Sequence, residues 1–208
     1  MHMKQYPVIT ISREYGSGGH EIGKKLAERL GIPFYDNELI TLASRDSGFP
    51  ERTFHEAEDS ATNGFLYAMK LMGSSAEGGV PLNNQIFMYQ FSAIRNIADH
   101  GPAVIVGRCA DYVLDGYKPS VNIFVQADMP HRVERIMERT GEKDPGKAQD
   151  MARKKDKCRA TFYNFYSDRR WGDRKNYHLI INTSHLSSDT AVEILKMYIE
   201  QVMQKDEI

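Results

Sequence analysis

Apolar positions along this chain fall into two kinds of pattern, short unbroken runs and stretches that repeat every three to four residues. The first kind marks strands and the second helices. Runs at 8–11 (Val-Ile-Thr-Ile), 32–35, 103–106 (Ala-Val-Ile-Val), 121–125 and 179–182 predict five strands. Between them Ile22, Leu26, Ala27 and Leu30 repeat at helical spacing, with Gly31 placed to end that helix and Pro33 two residues beyond. Residues 37–45 read as a helix, and 83–100 as another carrying Ile86, Phe87, Phe91, Ile94 and Ile97 on one side. Asp128-Met129-Pro130 has the form of a helix start, with an N-cap and a proline in the first turn. A final helix over 190–203 presents Val192, Leu195, Ile199 and Val202.

Alternating strands and helices predict an α/β protein whose parallel sheet carries helices on its faces. The run at 103–106 is apolar at every position, as suits a strand buried on both sides. Residues 46–100 add helices without a strand and read as a helical insertion, including a glycine-rich loop at 73–79. No internal repeat or low-complexity linker interrupts the 208 residues, so a single domain is expected.

Composition narrows the function classes. A hydrophobic fraction of 41%, a charged fraction of 26% and a formal net charge of -1 suit a soluble globular protein. Nothing global points to nucleic acid, so electrostatic recognition must be local. Cys109 and Cys158 form no CxxC pair, and the seven histidines no HxxxH or HExxH, so no metal ligand set is expected. No segment approaches the roughly 20 apolar residues of a membrane span, and residues 1–7 lack a signal-peptide run. These features predict a cytoplasmic protein with no membrane partner; oligomeric state is left open.

The chemistry concentrates in Gly16-Ser17-Gly18-Gly19, between the first strand and the first helix. Helix N-termini expose unpaired N–H groups, and glycines let a phosphate approach them. A dinucleotide fold wants G-x-G-x-x-G directly after its strand and an acid about 20 residues on. Asp36 meets the second demand, but the third glycine falls at Gly23 and the glycines begin five residues beyond Ile11. A wrap-around phosphate loop fits better. Set against G-x-x-x-x-G-K-S/T, Arg13 takes the first glycine position, Gly18 the second and Gly19 the lysine position. His20 and Glu21 follow where a hydroxyl for Mg²⁺ is expected. Arg13 or Lys24 is the available replacement charge.

Taken in order, these segments resemble the cytidylate kinase-like family. The resemblance rests on 8–19, on Gly31-Ile32-Pro33-Phe34-Tyr35-Asp36, and on Val104-Ile105-Val106-Gly107-Arg108 with Cys109 where cytidylate kinases have Asp. It extends to Ile181-Asn182-Thr183-Ser184 and Leu186-Ser187, and is weakest over 46–100. It implies a three-layer α/β/α P-loop NTPase fold that moves the γ-phosphoryl of ATP, with Mg²⁺, to a CMP-like nucleoside monophosphate or other small acceptor. The alternative is a nucleotide- or anion-binding protein with a degenerate loop and little turnover. The phosphate-loop reading assigns Gly16, Ser17, Gly18, Gly19, His20, Glu21 and Lys24 to the cofactor, and further residues come from the resemblance. It gives Arg108 the acceptor phosphate, and reads 131–160 as a lid in which Arg132, Arg135 and Arg139 share a helix face. Asp156 and Arg159 match a D-x-x-R segment whose arginine reaches phosphate. Asp36 contacts the acceptor or caps the next helix. The aromatics from Phe162 to Trp171 read as packing.

Overall fold

A computed structural model of the protein describes residues 6–60 and 82–206. Five strands, β1 (Val8–Arg13), β2 (Phe34–Tyr35), β3 (Val104–Val106), β4 (Ser120–Gln126) and β5 (Leu179–Asn182), form one parallel sheet in the order β2-β3-β1-β4-β5. The first strand is therefore the middle of the sheet. It pairs on both edges, Ile11 with Val106 of β3 and with Ile123 of β4. Backbone pairing continues to Arg13 opposite Val125, two residues past the apolar run. Ser12 and Arg13 are thus strand residues, and the connection to the next helix is shorter than apolar patterning suggested.

Side-chain alternation assigns the layers. On one face Ile9, Ile11, Val104 and Val106 meet Ile22, Leu26, Leu195 and Ile199. These belong to α1 (Gly19–Leu30) and the last helix, α8 (Ser188–Asp206). On the other face Val8 and Ile105 meet Leu39, Ile94, Ile97 and Val113. Their helices are α2 (Glu38–Ser47), α4 (Leu82–Asp99) and α5 (Ala110–Val113). Within the core, the Thr10 hydroxyl donates to the Asn122 side chain at 2.8 Å, which satisfies a buried polar pair across β1 and β4. Pro33 has no N–H to give, but its carbonyl accepts from Val104 N at 2.8 Å and starts the β2–β3 pairing.

The insertion supplies α3 (Glu51–Ser60) and α4. Phe54 is fully buried and packs with Ile40, Ala43 and Ile86, which joins α3 to α2 and α4. The glycine-rich stretch at 73–79 lies outside the described residues. Beyond β4 come α6 (Met129–Thr140) and α7 (Pro145–Ser167). The Asp144 carboxylate accepts from Gly146 N and Lys147 N, and Pro145 occupies the first turn, so α7 has a strong N-terminal stop. The basic run at 153–159 and the aromatics Phe162 and Tyr163 lie on this one 23-residue helix. Its far end packs against Phe87 and Cys109.

Candidate functional site

Strand β1 delivers the chain to the carboxyl edge of the sheet, where open α/β folds bind ligands. The turn that follows rises to Gly18, which takes a left-handed conformation (φ +83°) and passes into α1 at Gly19. Gly16 is also left-handed (φ +84°), and a Cβ there would lie 2.7 Å from the Arg132 carbonyl oxygen. Among the described residues the N–H groups of Gly18, Gly19, His20 and Glu21 have no hydrogen-bond acceptor. They are the orphan donors of a helix N-terminus, presented by a glycine turn, which makes an anion cradle.

The turn is held from every side. Tyr15 N donates to Asp156 at 2.7 Å, and Arg132 Nε donates to the Tyr15 carbonyl at 2.8 Å. Arg132 also pairs with Asp156 and stands 3.4 Å from Glu14, whose carboxylate accepts from Ala127 N at 3.1 Å. The Ser17 hydroxyl donates back to the Glu14 carbonyl at 2.9 Å. The Ser17 carbonyl accepts from the Thr183 hydroxyl at 2.7 Å and from Arg135 at 3.3 Å, while Arg135 also donates to the Thr183 carbonyl at 2.8 Å. The segment after β5 and helices α6 and α7 therefore fix the loop before any ligand arrives, which lowers the ordering cost of binding.

Two cavities open beside it. The larger, about 890 Å³, is lined by the residues from Gly16 to Glu21 and by Arg13, Arg135, Arg139 and Arg159. The smaller, about 290 Å³, is lined by Arg13, Arg108, Lys155 and Arg159, with the rings of Phe162 and Tyr163 among its walls. Arg13, Asp36, Asn37 and Arg159 border both. Asp36, 6% exposed, accepts from His20 Nδ1 at 2.7 Å and lies 3.5 Å from Arg13 Nη2.

Arg108 reaches the smaller cavity through a double backbone turn, with φ of 57° at Arg108 and 55° at Cys109. Left-handed conformations at two successive non-glycine residues are costly and cluster at functional sites. Burial, with repulsion from Arg13, lowers the Arg108 pKa to about 10, partly countered by Asp36. Burial and then Arg13 bring Arg159 to about 9, and burial lowers Arg13 as well. Guanidinium stays charged in proteins, so these directions describe three desolvated cations that gain from a bound anion. Behind the smaller cavity, the Tyr163 hydroxyl donates to the buried Asp111 carboxylate at 2.6 Å, and the Ser12 hydroxyl approaches it at 3.5 Å.

The structure separates the residues singled out from the sequence. Arg13, Asp36, Arg108, Arg135, Arg139, Arg159 and the turn residues meet at the cavities. Arg132 is 4% exposed and borders neither; it and Asp156 hold the turn instead. The three arginines of α6 therefore divide: Arg132 under the turn, Arg135 on Ser17 and Thr183, Arg139 4.7 Å from the Tyr15 ring centroid. Lys24 is exposed on α1 and lines neither cavity. Sequence reasoning missed His55, which lines the smaller cavity from α3 and had no motif to mark it. It also gave no individual role to Lys155 or Thr183, whose signals were their places in the basic run and in the segment after β5. Phe162 and Tyr163 are core residues and cavity wall at once.

Among the described residues no group of three or more His, Cys, Asp or Glu is placed to hold a metal ion. No helix among them is long and apolar enough to cross a membrane.

Comparison with known proteins agrees with this fold. The profile of the Cytidylate kinase-like family matches residues 8–185. A cytidylate kinase of Methanothrix thermoacetophila is 27% identical over 177 residues, covering 85% of this chain and 88% of that protein. The crystal structure of an uncharacterized protein from Eubacterium ventriosum aligns with TM-score 0.70 and 31% identity, covering 93% of this chain and 98% of that one. A gluconokinase from Sinorhizobium meliloti shares the fold, with TM-score 0.57 at 14% identity, over 97% of this chain and 96% of its own. The five-stranded parallel sheet between helical layers is a three-layer α/β/α P-loop fold, and the chain belongs to the cytidylate kinase-like family.

Proposed function

We propose that this protein transfers the γ-phosphoryl group of ATP to a small anionic acceptor, with a nucleoside monophosphate such as CMP the first candidate. The observation that supports this reading most directly is the pair of adjoining cavities with Arg13, Asp36 and Arg159 in their common border. Phosphoryl transfer has little covalent chemistry for a protein to perform; it needs two substrates in line and charge neutralised between them. In this reading the nucleotide's phosphates lie in the glycine turn, against the open N–H groups of Gly18 to Glu21. The acceptor's anionic group lies in the smaller cavity against Arg108, whose planar fork matches phosphate oxygens. Arg13 and Arg159 face the charge that develops between them.

The donor set suits Mg²⁺ only as an ion carried mainly by phosphates and water, which is its usual habit. Asp36, the carboxylate bordering both cavities, is the group that would reach it. Bound there, the ion would offset charge on the β- and γ-oxygens.

The test is direct. Purified protein with ATP, Mg²⁺ and CMP should yield ADP and CDP, and Arg108→Ala should reduce turnover by roughly 100-fold or more, the scale of losing one preorganised donor to a transition state. Failure to turn over any of a panel of nucleoside monophosphates and other small phosphoryl acceptors, despite tight ATP binding, would sink the proposal.

A further inference from the structure

Two positions in the phosphate turn are exchanged relative to the usual loop. In G-x-x-x-x-G-K the first position is glycine and the seventh is the lysine that reaches the β- and γ-phosphates. Here the first is Arg13 and the seventh Gly19. The structure shows why the two changes belong together. A Cβ built on Gly19 would sit 2.5 Å from Arg13 Cβ, 3.0 Å from its Cγ and 3.3 Å from Val125 Cβ. The clash is with the root of the arginine side chain, on a paired strand in mid-sheet, so neither partner can move aside. Gly19 is the first residue of α1, a backbone conformation open to other residues. The main bar to a side chain there is Arg13, with Val125 behind it.

The other end of Arg13 lies against Gly107, which is glycine by its own backbone demand (φ +80°). A Cβ on Gly107 would lie 2.1 Å from Arg13 Nη1. The arginine runs between two glycines, its stem against Gly19 and its guanidinium against Gly107 at the end of β3. That course brings the charge to the border of both cavities. Its Nε is buried with no hydrogen-bond partner among the described residues, and Nη2 stands 3.5 Å from Asp36, so donor capacity remains for an incoming anion. The other cations around the larger cavity have employment. Arg135 donates to Ser17 and Thr183, Arg139 lies on the Tyr15 ring, and Arg159 donates to the Arg13 carbonyl at 2.9 Å. No lysine lines that cavity among the described residues.

We infer that Arg13 takes the part of the missing lysine, reaching the terminal phosphates of a bound triphosphate from the strand rather than from the helix, with Gly19 as the space it requires. The inference rests on the reading of the turn as a nucleoside triphosphate site.

A reciprocal exchange tests it. Arg13→Gly should weaken ATP binding about tenfold or more, the scale of a lost charge-assisted contact, while adenosine binding changes less than twofold. Gly19→Ala should lower the melting temperature of the ligand-free protein, and that loss should shrink to less than half in the Arg13→Gly background, where only the Val125 contact remains. The double substitution Arg13→Gly with Gly19→Lys, which restores the usual order, should recover ATP affinity to within about threefold. Should Gly19→Lys alone fail to fold, Gly19→Ala still reads the steric coupling. ATP affinity unchanged by Arg13→Gly would overturn the inference, as would an equal cost for Gly19→Ala with and without Arg13. Protein that binds ATP in an Arg13-dependent way but forms no ADP would leave the inference standing and remove the kinase reading. Protein that binds no triphosphate would remove both.

Discussion

Asp111 is 1% exposed and keeps its carboxylate against the Tyr163 hydroxyl, behind the smaller cavity. Burial raises its pKa, more than the hydrogen bond from Tyr163 lowers it, and the same burial and carboxylate push Tyr163 up. An acid whose folded pKa exceeds its unfolded value binds more protons when folded. Its favourable contribution is full below the ordinary value near 3.8 and is lost as pH rises through the raised folded value. Asp111→Asn keeps an oxygen to accept from Tyr163 and removes the charge. The variant should match or exceed the wild type in stability at pH 7 and lose less stability between pH 4 and 7, measured by urea denaturation across that range. Asp111→Leu strands the Tyr163 hydroxyl and should cost about 1–3 kcal/mol. A steeper pH dependence in the Asn variant would contradict this account.

Helices α6 and α7 show how far a single residue can tie elements together. Arg132 leaves α6 to meet the Tyr15 carbonyl in the turn, Glu14 below it and Asp156 on α7. Removing one partner of a buried ion pair leaves the others uncompensated, so Arg132→Ala should destabilise by about 3–5 kcal/mol. It should also loosen the turn, seen as faster hydrogen exchange at residues 14–18. Wild-type exchange there would mean that Arg135 and Thr183 hold the turn unaided. Much at this scale was legible in sequence. Five strands and the helices between them follow from apolar runs and period, because the sheet is buried on both faces and each helix on one. The end of β1 was not, since pairing with β4 carries two polar residues into the strand after the apolar signal stops. The spacing of Arg132, Arg135 and Arg139 on one helical face was correct as geometry. Which of them faces a cavity depends on how α7 crosses α6, and local periodicity holds no record of that. The His20–Asp36 contact joins α1 to the residue after β2 and was equally invisible.

At the scale of the molecule, three buried or half-buried guanidiniums converge where β1, β3 and α7 meet, with Asp36 the carboxylate at their common border. Such a site is electrostatically unfinished without an anion. A ligand that binds only the folded state at 100 times its dissociation constant adds about 2.7 kcal/mol, or roughly 5–10 °C in melting temperature for a chain of this length. ATP should give a shift of that size, diminished by added salt, and adenosine a small one. Equal shifts from the two would show that the phosphates are not what the arginines meet.

The packing of Gly19 against Arg13 also bears on descent. A chain passing from a lysine in the helix to an arginine in the strand, one substitution at a time, must cross a form with both side chains or with neither. The first is crowded at 2.5 Å, and the second leaves the glycine turn without a cation at either position. If Arg13 meets the phosphates, lineages holding the two arrangements would be separated by a valley that single steps do not cross cheaply. An arginine paired with a glycine at these two positions should therefore be inherited as a unit.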